Sequence, residues 1–168
     1  IQGNHDRLVE DLNDRRARGK QFRKHISLQT KISFDAMLNK KGSSGDIEFD
    51  HKKKSLHMIV QKDANDSSTQ NDDVKALSGG EKSFTTLSFL LALGENLESP
   101  IRIMDEFDVF LDPQARKIAL NQLIEMAQGL EHRQFIFITP QDLSAIPVTK
   151  TLRIHKFTTP ERGQTTIT

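Results

Sequence analysis

Ala76-Leu77-Ser78-Gly79-Gly80-Glu81-Lys82-Ser83 opens an apolar run with helical spacing (Phe84, Leu87, Leu90, Leu91, Leu93), and Pro100-Ile101-Arg102-Ile103-Met104-Asp105-Glu106 follows after a short break. Ser78 with Glu81 three residues later is a capping box at a helix start. A cap does not call for two glycines in the first turn, where each weakens a helix by up to about 1 kcal/mol relative to Ala. Glycines there suit the close approach of another backbone or a phosphate. The helix N-terminus also offers free N–H groups and a positive potential to an anion. On these residues alone the simple cap and the anion site are both open.

The second segment reads as a short strand ending in two adjacent acids. A carboxylate at a strand end can hold magnesium, which prefers oxygen ligands and keeps several waters. A following Glu can orient and deprotonate an attacking water. Taken by itself, Asp105-Glu106 reads more readily as two solvated acids leaving a strand, and Arg102 makes that strand less apolar than a fully buried one. Phe107-Asp108-Val109-Phe110-Leu111-Asp112-Pro113 comes next, with Asp112 as N-cap and Pro113 at the first helical position.

Outward from this centre, the pattern predicts a helix near 79–97, a strand at Ile101–Met104, a helix near 113–130 and an apolar strand at Gln134–Thr139. Further strands are expected near Thr151–Phe157 and Thr165–Ile167. Short apolar strands alternating with helices predict an α/β fold, a mostly parallel sheet with flanking helices. Upstream, residues 5–41 read as one long polar helix without proline, with Leu8, Leu12, Phe22 and Ile26 on a 4–3–4 seam interrupted by Arg15 and Gly19. Gly42-Ser43-Ser44-Gly45 breaks it; Asp46–Asp50 and Ser55–Gln61 then read as strands around His51-Lys52-Lys53-Lys54, more a solvated turn than a nucleic-acid site. Residues 62–73 are polar and low in complexity and read as a flexible surface loop.

The 168 residues fit one domain, and with 35% apolar residues the chain reads as soluble and globular. No stretch approaches the roughly 18 apolar residues of a membrane helix, so no membrane partner is expected. The absence of Cys excludes a disulfide framework, thiolate zinc and a Cys nucleophile, and agrees with an intracellular location. The six His show no ligand spacing, and no Ser has a His–Asp arrangement that would support nucleophilic catalysis. Net charge is +1, but residues 1–63 carry 14 basic and 9 acidic side chains and residues 64–168 carry 10 and 14. Phosphate contacts outside a defined site are therefore expected from the first third.

The order of the motifs is more specific than any one of them. L-S-G-G-E-K at a helix start, 27 positions from Ser78 to Asp105, a strand ending in D-E and then L-D-P resemble an ATP-binding-cassette (ABC) ATPase head, specifically the C-terminal half of a head of the structural maintenance of chromosomes (SMC) family. Phe107-Asp108-Val109-Phe110 and Gln134-Phe135-Ile136-Phe137-Ile138-Thr139-Pro140-Gln141 resemble the sixth-subunit branch of that family, the partner of the fifth subunit in its DNA-repair complex. The resemblance covers roughly residues 20–168.

That resemblance implies the cofactors ATP and Mg2+ and a set of roles. Leu77, Ser78, Gly79, Gly80 and Glu81 would match the signature motif, in which Ser78 and the glycine backbone contact the γ-phosphate of ATP held by the opposite head. Asp105 would match the Walker B carboxylate acting on magnesium, Glu106 the catalytic base, and Leu111-Asp112 the loop that crosses between heads. Pro140 stands where relatives commonly have a His, and a prolyl ring cannot donate a hydrogen bond, so Thr139 or Gln141 is the candidate for that contact. No G-x-x-x-x-G-K-[ST] phosphate loop occurs in the sequence; the resemblance implies that an N-terminal lobe of the same SMC chain supplies it. It makes residues 1–41 the end of a descending coiled-coil arm and its neck, and residues 42–168 the C-terminal lobe. The other partners it implies are a second SMC head (the fifth subunit), a kleisin subunit at the neck, for which Phe22–Ile26 is a candidate contact and equally a candidate for packing on the other arm helix, and DNA, in the nucleus on the chromosome. Two other readings fit the residues: a docking head with little hydrolysis, and the related double-strand-break repair ABC ATPase.

Overall fold

The computed structural model describes residues 2–64, 70–71, 77–144 and 146–157. In chain order the elements are α1 (Gln2–Asn39), β1 (Ser44–Asp50), β2 (Ser55–Gln61), β3 (Gln70–Asn71), α2 (Gly79–Glu95), β4 (Ile101–Asp105), α3 (Pro113–Gln128) and β5 (Gln134–Ile138).

Helix α1 has 38 residues, about 57 Å at 1.5 Å per residue. Its two parts differ. Residues 3–25 are exposed on every side, and the seam residues Leu8 and Phe22 are 69% and 64% exposed. From Ile26 onward one face is covered, and Thr30, Phe34, Met37 and Leu38 are buried at helical spacing. The boundary expected at residue 41 thus falls beyond the point where the helix has already entered the core. The helix stops where Gly42 takes φ +82 and its N–H reaches Asn39 O at 3.0 Å, the left-handed ending that glycine allows.

Strands β1 and β2 form an antiparallel hairpin in register from Ser44↔Gln61 to Asp50↔Ser55, and the two-residue β3 pairs with β2. Its turn is His51–Lys54, tightened by Asp50 Oδ1, which accepts from the N–H groups of Lys52 and Lys53 at 2.9 Å each. Gly45 lets this hairpin lie against α1. A Cβ there would fall 2.5 Å from Leu38 Cδ1, 2.8 Å from Phe34 Cε1 and 2.9 Å from the Ile59 carbonyl.

The core joins Phe34, Leu38, Ile47 and Val60 to Phe84, Leu87, Leu91 and Ala92 of α2 and to Ala115, Ala119 and Leu123 of α3. Gln122 of α3, buried, donates from Nε2 to Met37 O at 2.9 Å, satisfying a last-turn carbonyl of α1 that has no partner in its own helix. At the surface, Lys40 pairs with Glu125 at 2.6 Å.

Strands β4 and β5 are parallel, in register from Ile101↔Gln134 to Asp105↔Ile138. The expectation of a mostly parallel sheet needs correction. Among the described residues the larger sheet is the three-stranded antiparallel one, and the parallel sheet has two strands. Residues 151–157 are not a strand. Leu152 and Ile154 keep the alternation of half-buried and exposed positions, but a period of two makes a strand only with a neighbour to pair with. The segment 165–167 lies outside the described residues, as does most of the polar stretch 62–73.

Arg102 resolves an oddity of the β4 sequence. Its guanidinium donates to Leu97 O at 3.0 Å, lies 5.8 Å from the centre of the Phe135 ring and covers Gly94, where a Cβ would sit 2.5 Å from Nη1. The guanidinium itself thus lies over the end of α2, with a backbone carbonyl as acceptor and an aromatic ring nearby.

Candidate functional site at the carboxyl ends of the parallel strands

Asp105 is the last residue of β4 and is exposed. Strand alternation puts it on the same face as Ile101 and Ile103, and the parallel register sets Ile136 and Ile138 beside them. All four isoleucines are exposed, Ile103 at 63%. The other face of the pair, with Met104 and Phe137, packs on the core. Glu106 follows with φ 47, a left-handed conformation that costs a non-glycine residue about 1–2 kcal/mol. Its N–H donates to Ile138 O at 2.9 Å, and its carbonyl closes a turn with the Val109 N–H at 3.4 Å. The Glu106 side chain is exposed at the same edge as Asp105.

Behind that turn stands Asp108, which sequence reasoning did not select. It is 1% exposed. Thr139 Oγ1, at the end of β5, donates to its carboxylate, 2.8 Å from Oδ1 and 2.9 Å from Oδ2, and Arg116 Nε donates to Oδ2 at 2.9 Å. Thr139 Oγ1 also accepts the Gln141 N–H at 3.1 Å, and Arg116 Nη2 reaches Asp142 O at 2.9 Å. The one hydroxyl proton of Thr139 is thus directed to Asp108 in this structure. Gln141 has an exposed side chain and Pro140 is exposed. The signal that could have marked Asp108 is an acid set among Phe107, Val109, Phe110 and Leu111, where an unpaired charge would be costly.

The start of α2 carries the expected capping box. Glu81 N–H donates to Ser78 Oγ at 3.4 Å and Ser78 N–H to Glu81 Oε2 at 2.9 Å. Burial raises the affinity of the Glu81 carboxyl for its proton, but hydrogen bonds from Ser78 and the Lys62 ammonium, 3.1 Å away, outweigh it and hold the group below its ordinary pKa. Glu81 thus works as a cap, facing its own backbone. Leu77 is buried in the core, so only its backbone is open to a ligand. Gly79 and Gly80 lie in the first turn, where N–H groups lack an intrahelical acceptor. A Cβ on Gly80 would meet the Phe110 carbonyl at 3.4 Å, so the loop after β4 runs against this helix start.

Asp112 caps α3 as expected, with Oδ1 accepting the Ala115 N–H at 2.8 Å. That bond, with help from Lys41 at 3.7 Å and against a small opposing effect of burial, holds its carboxyl below the ordinary range. Lys41 also lies 5.0 Å from the centre of the Phe84 ring, linking the foot of α1 to both α2 and α3.

Asp105, Glu106 and Thr139 therefore converge at the carboxyl edge of the parallel pair, and Gly80 and Asp112 flank the loop 107–111. Magnesium fits this edge as a hard cation taking one exposed carboxylate oxygen and otherwise water or outside ligands. Among the described residues no group of three or more His, Cys, Asp or Glu side chains could hold a metal, and no helix is long and apolar enough to cross a membrane.

An α/β layer with acids at the carboxyl edge of parallel strands and a glycine-rich helix start beside them is the fold of SMC ATPase heads. Residues 10–160 match the family described as RecF/RecN/SMC N terminal domain. The chain belongs to the SMC family. Structural maintenance of chromosomes protein 6 of Homo sapiens is 44% identical over 147 residues, which cover 88% of this chain and 13% of that protein. The chain spans only 7–14% of the length of the curated relatives it matches. A solved structure from work on the "Structural biochemistry of ATP-driven dimerization and DNA stimulated activation of SMC ATPases" is 25% identical, with a TM-score of 0.57 and 73% of each chain covered. The Smc head domain with a coiled coil and joint from Pyrococcus yayanosii is 25% identical, with a TM-score of 0.58 over 80% of this chain and 26% of that one.

Proposed function

We propose that this chain is the C-terminal lobe of an SMC ATPase head of the sixth-subunit branch, contributing part of a composite site for ATP hydrolysis. The observation that carries the reading is the position of Asp105. It is exposed at the end of β4, on the face of the parallel pair that carries the exposed Ile103, Ile136 and Ile138, with Thr86 and Leu90 of α2 beside it. Parallel sheets are buried on both faces, so a carboxylate suited to magnesium points toward the surface a second lobe has to cover. In this reading that lobe is the N-terminal part of the same SMC chain, and it supplies the phosphate loop.

In this reading each residue takes the role that its motif implies and its position allows. Asp105 would hold magnesium, whose chemistry when bound would be to offset negative charge on the phosphates. Glu106 takes a proton from the attacking water. Gly79 and Gly80, with Ser78, present first-turn N–H groups to the γ-phosphate of ATP on a second head, the fifth SMC subunit, and Asp112 lies in the loop crossing between heads. Gln141 is the candidate in the switch segment; Thr139 donates to Asp108. The exposed first part of α1 is the arm, with Phe22–Ile26 facing a kleisin subunit. Head engagement on ATP and release after hydrolysis then act on DNA in chromosome maintenance and repair, in the nucleus.

The test is steady-state ATP turnover of the complete head with its partner head and DNA, wild type against Glu106→Gln. Turnover is expected to fall at least about a hundredfold, the range for losing a general base. Undiminished turnover would remove Glu106 as the base and favour a docking head. Ser78→Arg is expected to block head engagement while nucleotide binding to this head's own site persists.

A further inference from the structure

We infer that Asp108 is a positioning residue that fixes the conformation of Glu106 and couples it to segment 139–142. The inference rests on the proposed role of Glu106 as base. Glu106 sits in a left-handed conformation, φ 47, which relaxes unless its surroundings hold it. Consecutive residues of β5 and its end grip the turn from two sides. Ile138 O takes the Glu106 N–H at 2.9 Å, and Thr139 Oγ1 holds Asp108, two residues on, at 2.8 Å and 2.9 Å. Without the second grip, the turn keeps the Ile138 contact, the 3.4 Å Val109 closure and the hold of Arg116 and the Leu111 N–H on Asp108.

The clamp is also connected outward. Thr139 Oγ1 accepts the Gln141 N–H, while Arg116, whose Nε reaches Asp108, donates from Nη2 to Asp142 O. Asp108 therefore has α3 on one oxygen and the β5 exit on both. A displacement of residues 139–142 reaches the Glu106 turn through a buried carboxylate hydrogen-bonded on both oxygens. Asp108 itself points away from the edge and touches no reacting atom. Its effect is on where the Glu106 carboxylate stands.

The experiment measures ATP turnover by the full-length chain in complex with its partner head and DNA, for wild type, Thr139→Val, Thr139→Ser, Asp108→Asn and Glu106→Gln. Valine keeps the shape of threonine and removes the hydroxyl; serine restores it. Thr139→Val is expected to lower kcat about tenfold to a hundredfold, the scale of a misplaced catalytic group, with KM for ATP unchanged and with Thr139→Ser restoring kcat. Melting temperatures of each variant place all assays well below unfolding, so the Val variant decides the matter even if Asp108→Asn fails to fold. An unchanged kcat in Thr139→Val, with Glu106→Gln inactive, overturns the positioning role and leaves the proposed function standing. A higher KM at unchanged kcat makes Thr139 a nucleotide contact and overturns it too. If Glu106→Gln retains full turnover, the proposed function fails and this inference fails with it.

Discussion

The hairpin β1–β2 and the parallel pair β4–β5 are both built from alternating apolar residues, yet they end in opposite situations. On the hairpin the inward residues Ile47 and Val60 are buried against α1 and α2. On the parallel pair one face reaches the core through Met104 and Phe137, and the other leaves Ile101, Ile103, Ile136 and Ile138 in the open. An antiparallel sheet tolerates one wet face, but its wet face is normally polar. Four isoleucines on a bare face instead describe half of a two-sided contact. The hairpin side of the molecule is finished and the parallel side is not.

The contrast can be broken by substitution. Phe34→Ala, on the finished side, is expected to cost about 3–5 kcal/mol, the usual range for emptying a buried aromatic site, read from the urea midpoint of this chain. Gly45→Ala should cost about 1–3 kcal/mol by overpacking, because the Ile59 carbonyl is backbone and cannot swing aside. Ser78→Ala removes a cap and should cost about 1 kcal/mol. Ile103→Lys, on the unfinished side, should change stability by no more than about 0.5 kcal/mol; a loss of several times that would mean the face is packed within this chain.

Acid sharpens the same picture at the start of α2. The Glu81 carboxyl has a pKa below its ordinary value in the fold, so its stabilising effect is complete above that ordinary value and is lost as pH falls through the folded one. Denaturation midpoints between about pH 7 and pH 3 should fall less steeply for Glu81→Gln than for wild type. An identical acid slope would show that the capping box does not form in solution.

The elements set by local chemistry were legible from the residues. The cap at Ser78, the Asp112-Pro113 helix start and the hairpin each depend on neighbours within a few positions, and β4 and β5 showed as short apolar runs between helices. What was not legible depends on distant partners. Asp108 reads as one more loop acid until Arg116, 8 residues on, and Thr139, 31 residues on, close around it. Thr139 itself was expected to face a phosphate, and the contact that claims its hydroxyl has no sequence signal. Arg102 looked out of place because its seat over Gly94 and Phe135 comes from two other elements. Thr151–Phe157 has the strand pattern and, among the described residues, no strand beside it. Even α1 shows one continuous helical pattern, and only the packing divides it at Ile26.

That division makes α1 a rooted lever. Some 24 residues project from a base clamped by Gln122, Glu125 and the hairpin, giving a free length of roughly 36 Å at 1.5 Å per residue. A tilt of about five degrees at the base carries the free end about 3 Å at that rise per residue. Lys41 at the foot touches Asp112, at the end of the loop that begins with Glu106. Any tilt at this base is thus magnified at the free end in proportion to the length of one helix.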